Sequence, residues 1–272
     1  MSDFSTLELI RDPRGFATLW LSREAKNNAF NAQMIRELIV AIDQLGNDAS
    51  LRFVLLRGRG RHFSAGADLA WMQQSAELDY NTNLDDAREL AELMYNLAKF
   101  KVPTLAVVQG AAFGGALGLI SCCDMAIGSE DAQLCLSEVR IGLAPAVISP
   151  FVVQAMGERA ARRYALTAER FSGVRARELG LLSEAYPAAE LEQQVEQWID
   201  NLLLNSPQAM RASKELLREV GHGELTPAVR RYCENAIARI RVSAEGQEGL
   251  RAFLEKRKPS WLTPSSDKEP RP

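Results

Sequence analysis

The stretch Thr104-Leu-Ala-Val-Val-Gln-Gly-Ala-Ala-Phe-Gly-Gly-Ala-Leu-Gly118 joins a short apolar run to a glycine-rich turn and the start of an apolar helix. A short apolar run bounded by turn residues is typical of a strand that is buried on both faces of a sheet. Phe53-Val-Leu-Leu-Arg57 is a second run of this kind, and a polar, glycine-containing loop follows it. Strands and helices alternate through this region, which predicts a parallel sheet with crossover helices.

The pattern changes on either side of this centre. Two short strands are predicted near the N-terminus, and Asn31 is expected to cap the first long helix. After Pro145 the pattern is almost entirely helical. We therefore predict an α/β part over residues 1–200, a helical part over 201–262 and a disordered polar tail over 263–272. The predicted helices beyond Pro145 are Ser149–Met156, Arg159–Leu166, Ala188–Leu204, Pro207–Val220 and Thr226–Lys256.

Composition excludes several classes of protein. The 272 residues carry 32 basic and 35 acidic side chains, so the net charge of −3 lacks the basic bias of a general nucleic-acid binder. No apolar run approaches the roughly 20 residues that span a bilayer. The N-terminus shows no secretory signal, and the four cysteines match no zinc or disulfide spacing. We expect a cytoplasmic protein that has no membrane segment and no nucleic-acid partner.

Common catalytic motifs are also missing. The chain has only two histidines, His62 and His222, and neither stands at metal-ligand spacing from acidic residues. Ser64 lacks the preceding glycine of a nucleophile elbow, and the glycine-rich turns match neither a dinucleotide nor a triphosphate loop. The chemistry must therefore depend on carboxylates and backbone groups.

Two strand-to-helix turns provide such backbone groups, namely His62-Phe-Ser-Ala-Gly-Ala-Asp-Leu69 and Gln109–Gly118. In open α/β sheets, ligands bind beyond the carboxyl ends of the strands. A helix N-terminus presents unpaired N–H groups, and small residues let a ligand oxygen approach the backbone. Two such turns on neighbouring strands predict an oxyanion hole.

The motifs resemble those of the crotonase (enoyl-CoA hydratase/isomerase) family, in the family's order, over residues 4–262. Phe63–Leu69 matches the pattern Phe-Ser/Ala-Ala-Gly-Ala-Asp-Leu/Ile, and Gly110–Ala116 matches Gly-x-Ala-x-Gly-Gly-Gly with Ala in the last place. The resemblance implies a crotonase-like spiral of ββα units with a helical C-terminal trimerisation part. It also implies a homotrimer or hexamer. Three further matches are Cys123–Ile127, Ser137–Pro145 and Phe253–Pro259.

By this resemblance, the N–H groups of Ala67 and Gly115 hold the thioester oxygen of an acyl-CoA, and Glu138 moves the protons. Phe253 and Lys256 are expected at the adenine and phosphate end of the coenzyme, from the same or a neighbouring subunit. Coenzyme A is part of the substrate, so neither a separate cofactor nor a metal is expected. The remaining residues expected along the coenzyme and acyl group are Lys26, Ala65, Gly66, Asp68, Leu69 and Gly114.

One position departs from the pattern of typical hydratases, which hold a water between two glutamates. The first glutamate would stand three residues after Gly115, where this chain has Gly118. We expect Glu138 to do most of the proton transfer, with a raised pKa in an apolar pocket. We also expect the missing side chain to leave space for a branched acyl group.

Leu136–Val153 and Ala165–Phe171 resemble bacterial methylglutaconyl-CoA hydratases of leucine degradation and their isohexenylglutaconyl relatives of terpene breakdown. The leading prediction is a lyase that hydrates 3-methylglutaconyl-CoA to 3-hydroxy-3-methylglutaryl-CoA. Alternatives are an isohexenylglutaconyl-CoA hydratase, a Δ3,Δ2-enoyl-CoA isomerase and a non-catalytic acyl-CoA binder. Arg140 is either a counter-charge for the substrate's free carboxylate or a surface arginine.

Overall fold

A computed structural model gives the fold, and it describes residues 4–221 and 224–262. These residues form two compact units, one of residues 4–100 and 104–195 and one of the remainder. Both predicted N-terminal strands and the two apolar runs form strands. The strands are β1 (Leu7–Arg11), β2 (Ala17–Leu21), β3 (Val54–Gly58), β4 (Thr104–Val108), β5 (Ala111–Phe113), β6 (Met125–Ser129), β7 (Gln133–Cys135), β8 (Phe171–Ser172) and β9 (Glu184–Tyr186).

Eleven α-helices lie among the described residues. Short 3₁₀ turns add Glu24–Lys26, Glu138–Ile141 and Ser260–Leu262. The helices are α1 (Ala32–Gly46), α2 (Leu69–Ala76), α3 (Tyr80–Ala98), α4 (Gly115–Cys122), α5 (Ser149–Met156), α6 (Glu158–Thr167), α7 (Gly173–Glu178), α8 (Leu191–Leu203), α9 (Pro207–Val220), α10 (Pro227–Val242) and α11 (Ala244–Leu254).

The main sheet of the first unit has the strand order β1-β2-β3-β4-β6-β9. Only β1 and β2 pair antiparallel, and the other neighbours are parallel. All five residues of β4 are buried, as expected for a central strand that is covered on both faces. This arrangement confirms the predicted α/β fold with a parallel sheet.

A second, smaller sheet has the order β5-β7-β8. An isolated parallel bridge between Ser64 and Ala112 places the first glycine-containing loop beside β5. The sequence analysis missed β5 and β8, because runs of two or three residues are too short to show strand alternation. This sheet brings the two predicted turns together.

The first long helix begins as predicted. The side chain of Asn31 accepts a hydrogen bond from the Met34 amide at 2.9 Å, which satisfies one of the free N–H groups at the start of α1. The periodicity of α1 predicts one apolar face, and five of its six residues are buried there, while Ile39 is half-buried and Ala41 is buried in addition. The six predicted residues are Met34, Ile35, Leu38, Ile39, Ile42 and Leu45.

The C-terminal half departs from its prediction at two places. The segment after Pro145 is mainly helical, as predicted, but it also contains the short strands β8 and β9, each of which pairs with a sheet. The predicted helix Thr226–Lys256 is broken at Ser243, which is extended and caps α11 by accepting from the Gly246 amide at 3.1 Å. Apolar periodicity continues across Ser243, so it does not reveal the break, whereas serine is a preferred N-cap residue.

Candidate active site

The two glycine-containing turns lie side by side in the first unit. The Ser64 amide donates to the Ala111 carbonyl at 3.1 Å, and the Phe113 amide donates to the Ser64 carbonyl at 3.0 Å. Gly66 has a φ of +92°, and a β-carbon there would lie 2.9 Å from the Phe113 carbonyl oxygen. Only glycine combines this backbone conformation with so close an approach. The geometry therefore confirms that the turns are neighbours.

The N–H of Ala67 is free to bind a ligand oxygen. The Phe30 amide donates to the Gly66 carbonyl at 2.7 Å, and the Asp68 amide donates to the Phe30 carbonyl at 2.8 Å. In a parallel bridge of this kind, the N–H of the intervening residue points to the opposite side. Ala67 is exposed, and its amide has no acceptor among residues 4–221 and 224–262.

The N–H of Gly115 is the second free donor. Gly115 is the first residue of α4, so its amide has no partner within the helix and lies at the positive end of the helix dipole. No acceptor within the described part of the chain takes this hydrogen bond. Both N–H groups that the resemblance implies for the oxyanion hole are therefore available.

Phe30 supports both turns, and the sequence analysis did not single it out. Its backbone forms the bridge with Ala67, and its ring lies 3.2 Å from the position that a β-carbon on Gly115 would take. Phe30 is 3% exposed, so its ring is held against Gly115 while its backbone holds the loop of Ala67. One sequence signal was present, because Phe30 stands directly before the helix cap Asn31, where an apolar residue often packs as a staple.

Glu138 lies beside the second turn. The Gly114 amide donates to the Cys135 carbonyl at 2.9 Å, which ties the turn to the strand that leads to Glu138. A β-carbon on Gly114 would lie 3.2 Å from Oε1 of Glu138. The carboxyl is therefore adjacent to the residue that precedes the free N–H of Gly115, as the resemblance implies.

The carboxyl of Glu138 has the environment of a proton-transfer group. Its Oε2 is buried and has no hydrogen-bond partner among the described residues. Burial raises the pKa of Glu138 above its usual value, against a smaller opposite effect of its own backbone N–H. A buried carboxyl with a raised pKa and a free oxygen is suited to accept and return a proton.

The expected space at Gly118 is absent, so that prediction is wrong. A β-carbon on Gly118 would overlap Cγ2 of Ile148 and lie 3.0 Å from Cε of Met94. Ile148 is 2% exposed and Met94 is fully buried. The sequence showed only that a side chain was missing, and a residue thirty positions further along fills its place.

Asp68 has a structural role that the sequence analysis did not assign. Its carboxylate pairs with Arg23 at 2.9 Å and accepts from the Ala70 amide at 2.9 Å, which caps α2. Burial raises the pKa of Asp68, but these hydrogen bonds and the charge of Arg23 outweigh that effect and lower it. The buried ion pair holds the loop that carries Ala67.

The other expected coenzyme contacts of the first unit lie near that loop. Ala65 is half-buried, and its amide donates at 2.9 Å to the carbonyl of Asn27, the residue after the exposed Lys26. Leu69 is 77% exposed at the start of α2. These residues form one surface beside the free N–H of Ala67, and their contact with the coenzyme stays a prediction.

Three residues expected to contact the substrate lie away from this surface or have other partners. Arg140 is exposed and donates through Nη2 to the Ala168 carbonyl at 2.7 Å, so part of its guanidinium holds a neighbouring loop. Phe253 and Lys256 lie in the second unit at the end of α11 and just beyond it. Phe253 is 82% exposed, and Lys256 has a φ of +54°. Their roles toward the substrate stay predictions.

The described residues contain neither a membrane-spanning helix nor a metal-binding cluster. No helix there is long and apolar enough to cross a membrane. No group of three or more His, Cys, Asp or Glu side chains in the same part of the chain is arranged to hold a metal ion.

Comparison with known proteins gives the family. The family model for enoyl-CoA hydratase/isomerase matches residues 11–264. The chain is 29% identical over 244 residues to the 2,3-dehydroadipyl-CoA hydratase of Escherichia coli. This alignment covers 89% of this chain and 93% of the relative. The chain therefore belongs to the enoyl-CoA hydratase/isomerase family. This membership supports an enoyl-CoA hydratase or isomerase activity on an acyl-CoA thioester.

Solved structures agree with this assignment. An enoyl-CoA hydratase from Shewanella pealeana is 49% identical with a TM-score of 0.90, covering 95% of this chain and 96% of that one. Pseudomonas aeruginosa AtuE is 36% identical with a TM-score of 0.91, covering 95% of this chain and all of that one. The fold predicted from the resemblance, an α/β core with a helical C-terminal part, is thus confirmed.

Proposed function

We propose that this chain adds water across the double bond of an α,β-unsaturated acyl-CoA, with 3-methylglutaconyl-CoA as the substrate and 3-hydroxy-3-methylglutaryl-CoA as the product. This reaction belongs to leucine degradation. The observation that carries the proposal is the buried, unpartnered Oε2 of Glu138 beside the turn that presents the free N–H of Gly115.

The N–H groups of Ala67 and Gly115 bind the thioester oxygen in the proposed mechanism. Attack of water on the β-carbon moves negative charge onto that oxygen, and fixed donors stabilise it there. One such donor is commonly worth about 10²–10³-fold in rate. The start of α4 adds partial positive charge at the same place.

Glu138 moves one proton in this mechanism. Its carboxylate accepts a proton from water as the hydroxyl group adds to the β-carbon, and it then returns the proton to the α-carbon of the enolate. The products contain all the atoms of one water molecule, and Glu138 ends in its starting state. The raised pKa of Glu138 suits both steps, because the group is neither too weak a base nor too weak an acid.

The choice of acyl group rests on similarity in sequence. Leu136–Val153 resembles the methylglutaconyl-CoA hydratases, and the Escherichia coli relative is named for an acyl group that, like 3-methylglutaconyl, ends in a carboxylate. Arg140, four residues after the buried Leu136 that begins this segment, supplies a cation for such a carboxylate. Extra room for a branched acyl group at Gly118 does not support this choice, because the Ile148 side chain occupies that volume.

A Δ3,Δ2-enoyl-CoA isomerase is the second candidate. A single carboxylate suffices to carry a proton between two carbons, and Gly118 provides no second one. The isohexenylglutaconyl-CoA hydratase reaction is the other branch of the hydratase proposal, with a longer acyl group.

The test is a panel of purified acyl-CoA thioesters in ¹⁸O-labelled water. We expect 3-methylglutaconyl-CoA to gain the mass of one labelled water, with a higher kcat/KM than crotonyl-CoA or isohexenylglutaconyl-CoA. Double-bond movement in a 3-enoyl-CoA without ¹⁸O uptake would replace the hydratase by the isomerase. Thioester binding without turnover of any panel member would leave only an acyl-CoA binder.

We also propose that the chain assembles as a homotrimer or hexamer, with Phe253 and Lys256 contributing to the coenzyme site. The mass in solution from light scattering tests the assembly. The variant Lys256→Ala should raise KM for every thioester without changing kcat, because a phosphate contact distant from the double bond affects binding in the ground state and transition state alike.

A further inference from the structure

We infer that the hydroxyl of Ser137 positions the water that attacks the acyl group, in place of the second glutamate of typical hydratases. The inference rests on the proposed function, because it concerns the water that Glu138 deprotonates. Ser137 stands directly before Glu138 and was not among the predicted site residues. It enters through its position beside the carboxyl.

The place of the second glutamate cannot hold the water. Gly118 has no side chain, and the volume that a β-carbon there would take is occupied by Ile148 and approached by Met94. Both of these side chains are buried and apolar, so neither gives water a strong hydrogen bond. A water held only by Glu138 can rotate about that one hydrogen bond, so a second polar group is needed to direct its oxygen.

The Ser137 hydroxyl lies beside the carboxyl of Glu138. Oγ of Ser137 is 4.0 Å, and Oε1 of Glu138 is 3.2 Å, from the position that a β-carbon on Gly114 would take. The two oxygens therefore flank one point, next to the residue that precedes the free N–H of Gly115. The Gly114 amide donates to the Cys135 carbonyl at 2.9 Å, which fixes this turn against the segment that carries both side chains.

The hydroxyl of Ser137 is free to bind. Ser137 stands at the N-cap of the 3₁₀ turn Glu138–Ile141, where a serine side chain commonly accepts from a backbone amide. Its backbone is not extended, with a φ of −91° and a ψ of −4°, and its side chain forms no capping bond. Its carbonyl instead accepts from the Arg140 amide at 3.1 Å. Since no group in residues 4–221 and 224–262 bonds to the hydroxyl, it keeps one donor and two acceptor sites.

Two oxygens suit the two hydrogens of one water molecule. In the proposed reaction, the water donates one hydrogen to the carboxylate of Glu138 and the other to Oγ of Ser137, which leaves a lone pair for the β-carbon. The first hydrogen passes to Glu138 as the C–O bond forms, and Glu138 returns it to the α-carbon. Ser137 therefore gains and loses no proton, and it acts by orienting the attacking oxygen.

The first test is the hydration rate of Ser137→Ala, with the thioester that the unchanged protein hydrates best. We expect kcat to fall by about 10- to 100-fold, because a misplaced water reacts more slowly. KM should not change, since Ala67 and Gly115 hold the thioester. The free energy of unfolding should not fall, because alanine removes no hydrogen bond of the described chain. Ser137→Thr keeps a hydroxyl on the same carbon and should retain most of the rate.

The matched control is Ser172→Ala. Ser172 is a half-buried serine whose hydroxyl accepts from the Arg175 amide at 3.2 Å and caps α7. Its removal should lower stability and leave the hydration rate unchanged. The pair of alanine variants therefore separates a serine that holds water from one that holds the fold.

A second reaction separates the water from the acid. Exchange of the α-protons of butyryl-CoA in heavy water needs the two backbone donors and Glu138, but no attacking water. Ser137→Ala should exchange these protons as fast as the unchanged protein, whereas Glu138→Gln should lose both reactions. Equal losses of hydration and exchange in Ser137→Ala would mean that Ser137 only holds Glu138 in place, which overturns the inference.

The hydration rates decide the question even where the unchanged protein exchanges too slowly to measure. Ser137→Thr as slow as Ser137→Ala overturns the inference, and so does Ser137→Ala as fast as the unchanged protein. Either result leaves the proposed function intact. No hydration by the unchanged protein overturns the proposed function itself.

Discussion

Replacing Glu138 by glutamine keeps the shape of the side chain and removes its ability to take up a proton. The carboxyl has one buried oxygen without a partner and forms no ion pair with any residue of the described ranges. Glutamine therefore breaks no observed side-chain contact, and it relieves the cost of burying an uncompensated charge. The substitution isolates proton transfer from packing.

The expected loss follows from the role of the group. General acid–base catalysis by one positioned side chain contributes about 10²–10⁴-fold, which is about 3–5.5 kcal/mol of transition-state stabilisation. Because the N–H groups of Ala67 and Gly115 are unaffected, KM should change little. The loss should therefore appear in kcat, and kcat/KM should fall by the same factor.

The pH dependence gives a second, independent readout. Burial raises the pKa of Glu138, and the hydration reaction starts from the carboxylate. The acidic limb of kcat/KM should therefore lie above the usual pKa of 4.5. Between that value and the raised pKa, the folded state binds more protons than the unfolded state. The contribution of Glu138 to the free energy of unfolding consequently falls as the pH rises through this window, and glutamine should abolish that contribution.

The assay follows loss of the enoyl-thioester absorbance and unfolding in urea, for Glu138→Gln and for the control Glu130→Gln. Glu130 is exposed directly after β6, and within the described residues its only hydrogen bond is the one that its backbone amide donates to the Tyr186 carbonyl. The control should keep full turnover. Turnover of Glu138→Gln close to that of the unchanged protein would remove Glu138 from the mechanism, and a fall in kcat matched by equal unfolding would show a structural role instead.

Three further predictions concern the support of the two donors. Phe30→Leu should lower kcat by about 10- to 100-fold through misplacement of the N–H groups. The free energy of unfolding in urea should fall by only about 1–3 kcal/mol. If the loss of kcat is fully explained by the fraction of protein that is unfolded, Phe30 does not position the donors. Gly66→Ala should lower the free energy of unfolding by about 1–3 kcal/mol and weaken binding of a thioester analogue. The control Gly157→Ala, at a φ of +79° with open space around it, should leave binding unchanged. Equal effects of the two substitutions on binding would refute the role of the close approach to Phe113. Asp68→Asn should cost about 1–3 kcal/mol at neutral pH. Because the pKa of Asp68 is lowered, that difference should shrink as the pH falls below 3.8 toward the folded-state pKa, and a difference constant with pH would exclude the ion pair with Arg23 as its cause.

Much of the fold and part of the site could be predicted from the sequence, because their causes are local. Helix α1 begins after Asn31 since a side-chain oxygen at that position satisfies the free amide of Met34, and β4 is central since four of its five residues are apolar. The two glycine-containing turns were also visible in the sequence. Gly66 and Gly114 have positive φ angles, which glycine adopts far more readily than other residues.

The rest depends on contacts between residues that are distant in the sequence. The ring of Phe30 lies against Gly115, Glu138 lies beside Gly114, and Ile148 fills the place of a side chain at Gly118. Local periodicity contains no information on which distant residue occupies a given volume, because that is decided by how the sheets and helices pack. By itself the sequence determined that two backbone donors and one acid exist. Only the tertiary structure decided that one phenylalanine contacts the turns of both donors and that an isoleucine fills the place of a side chain at position 118.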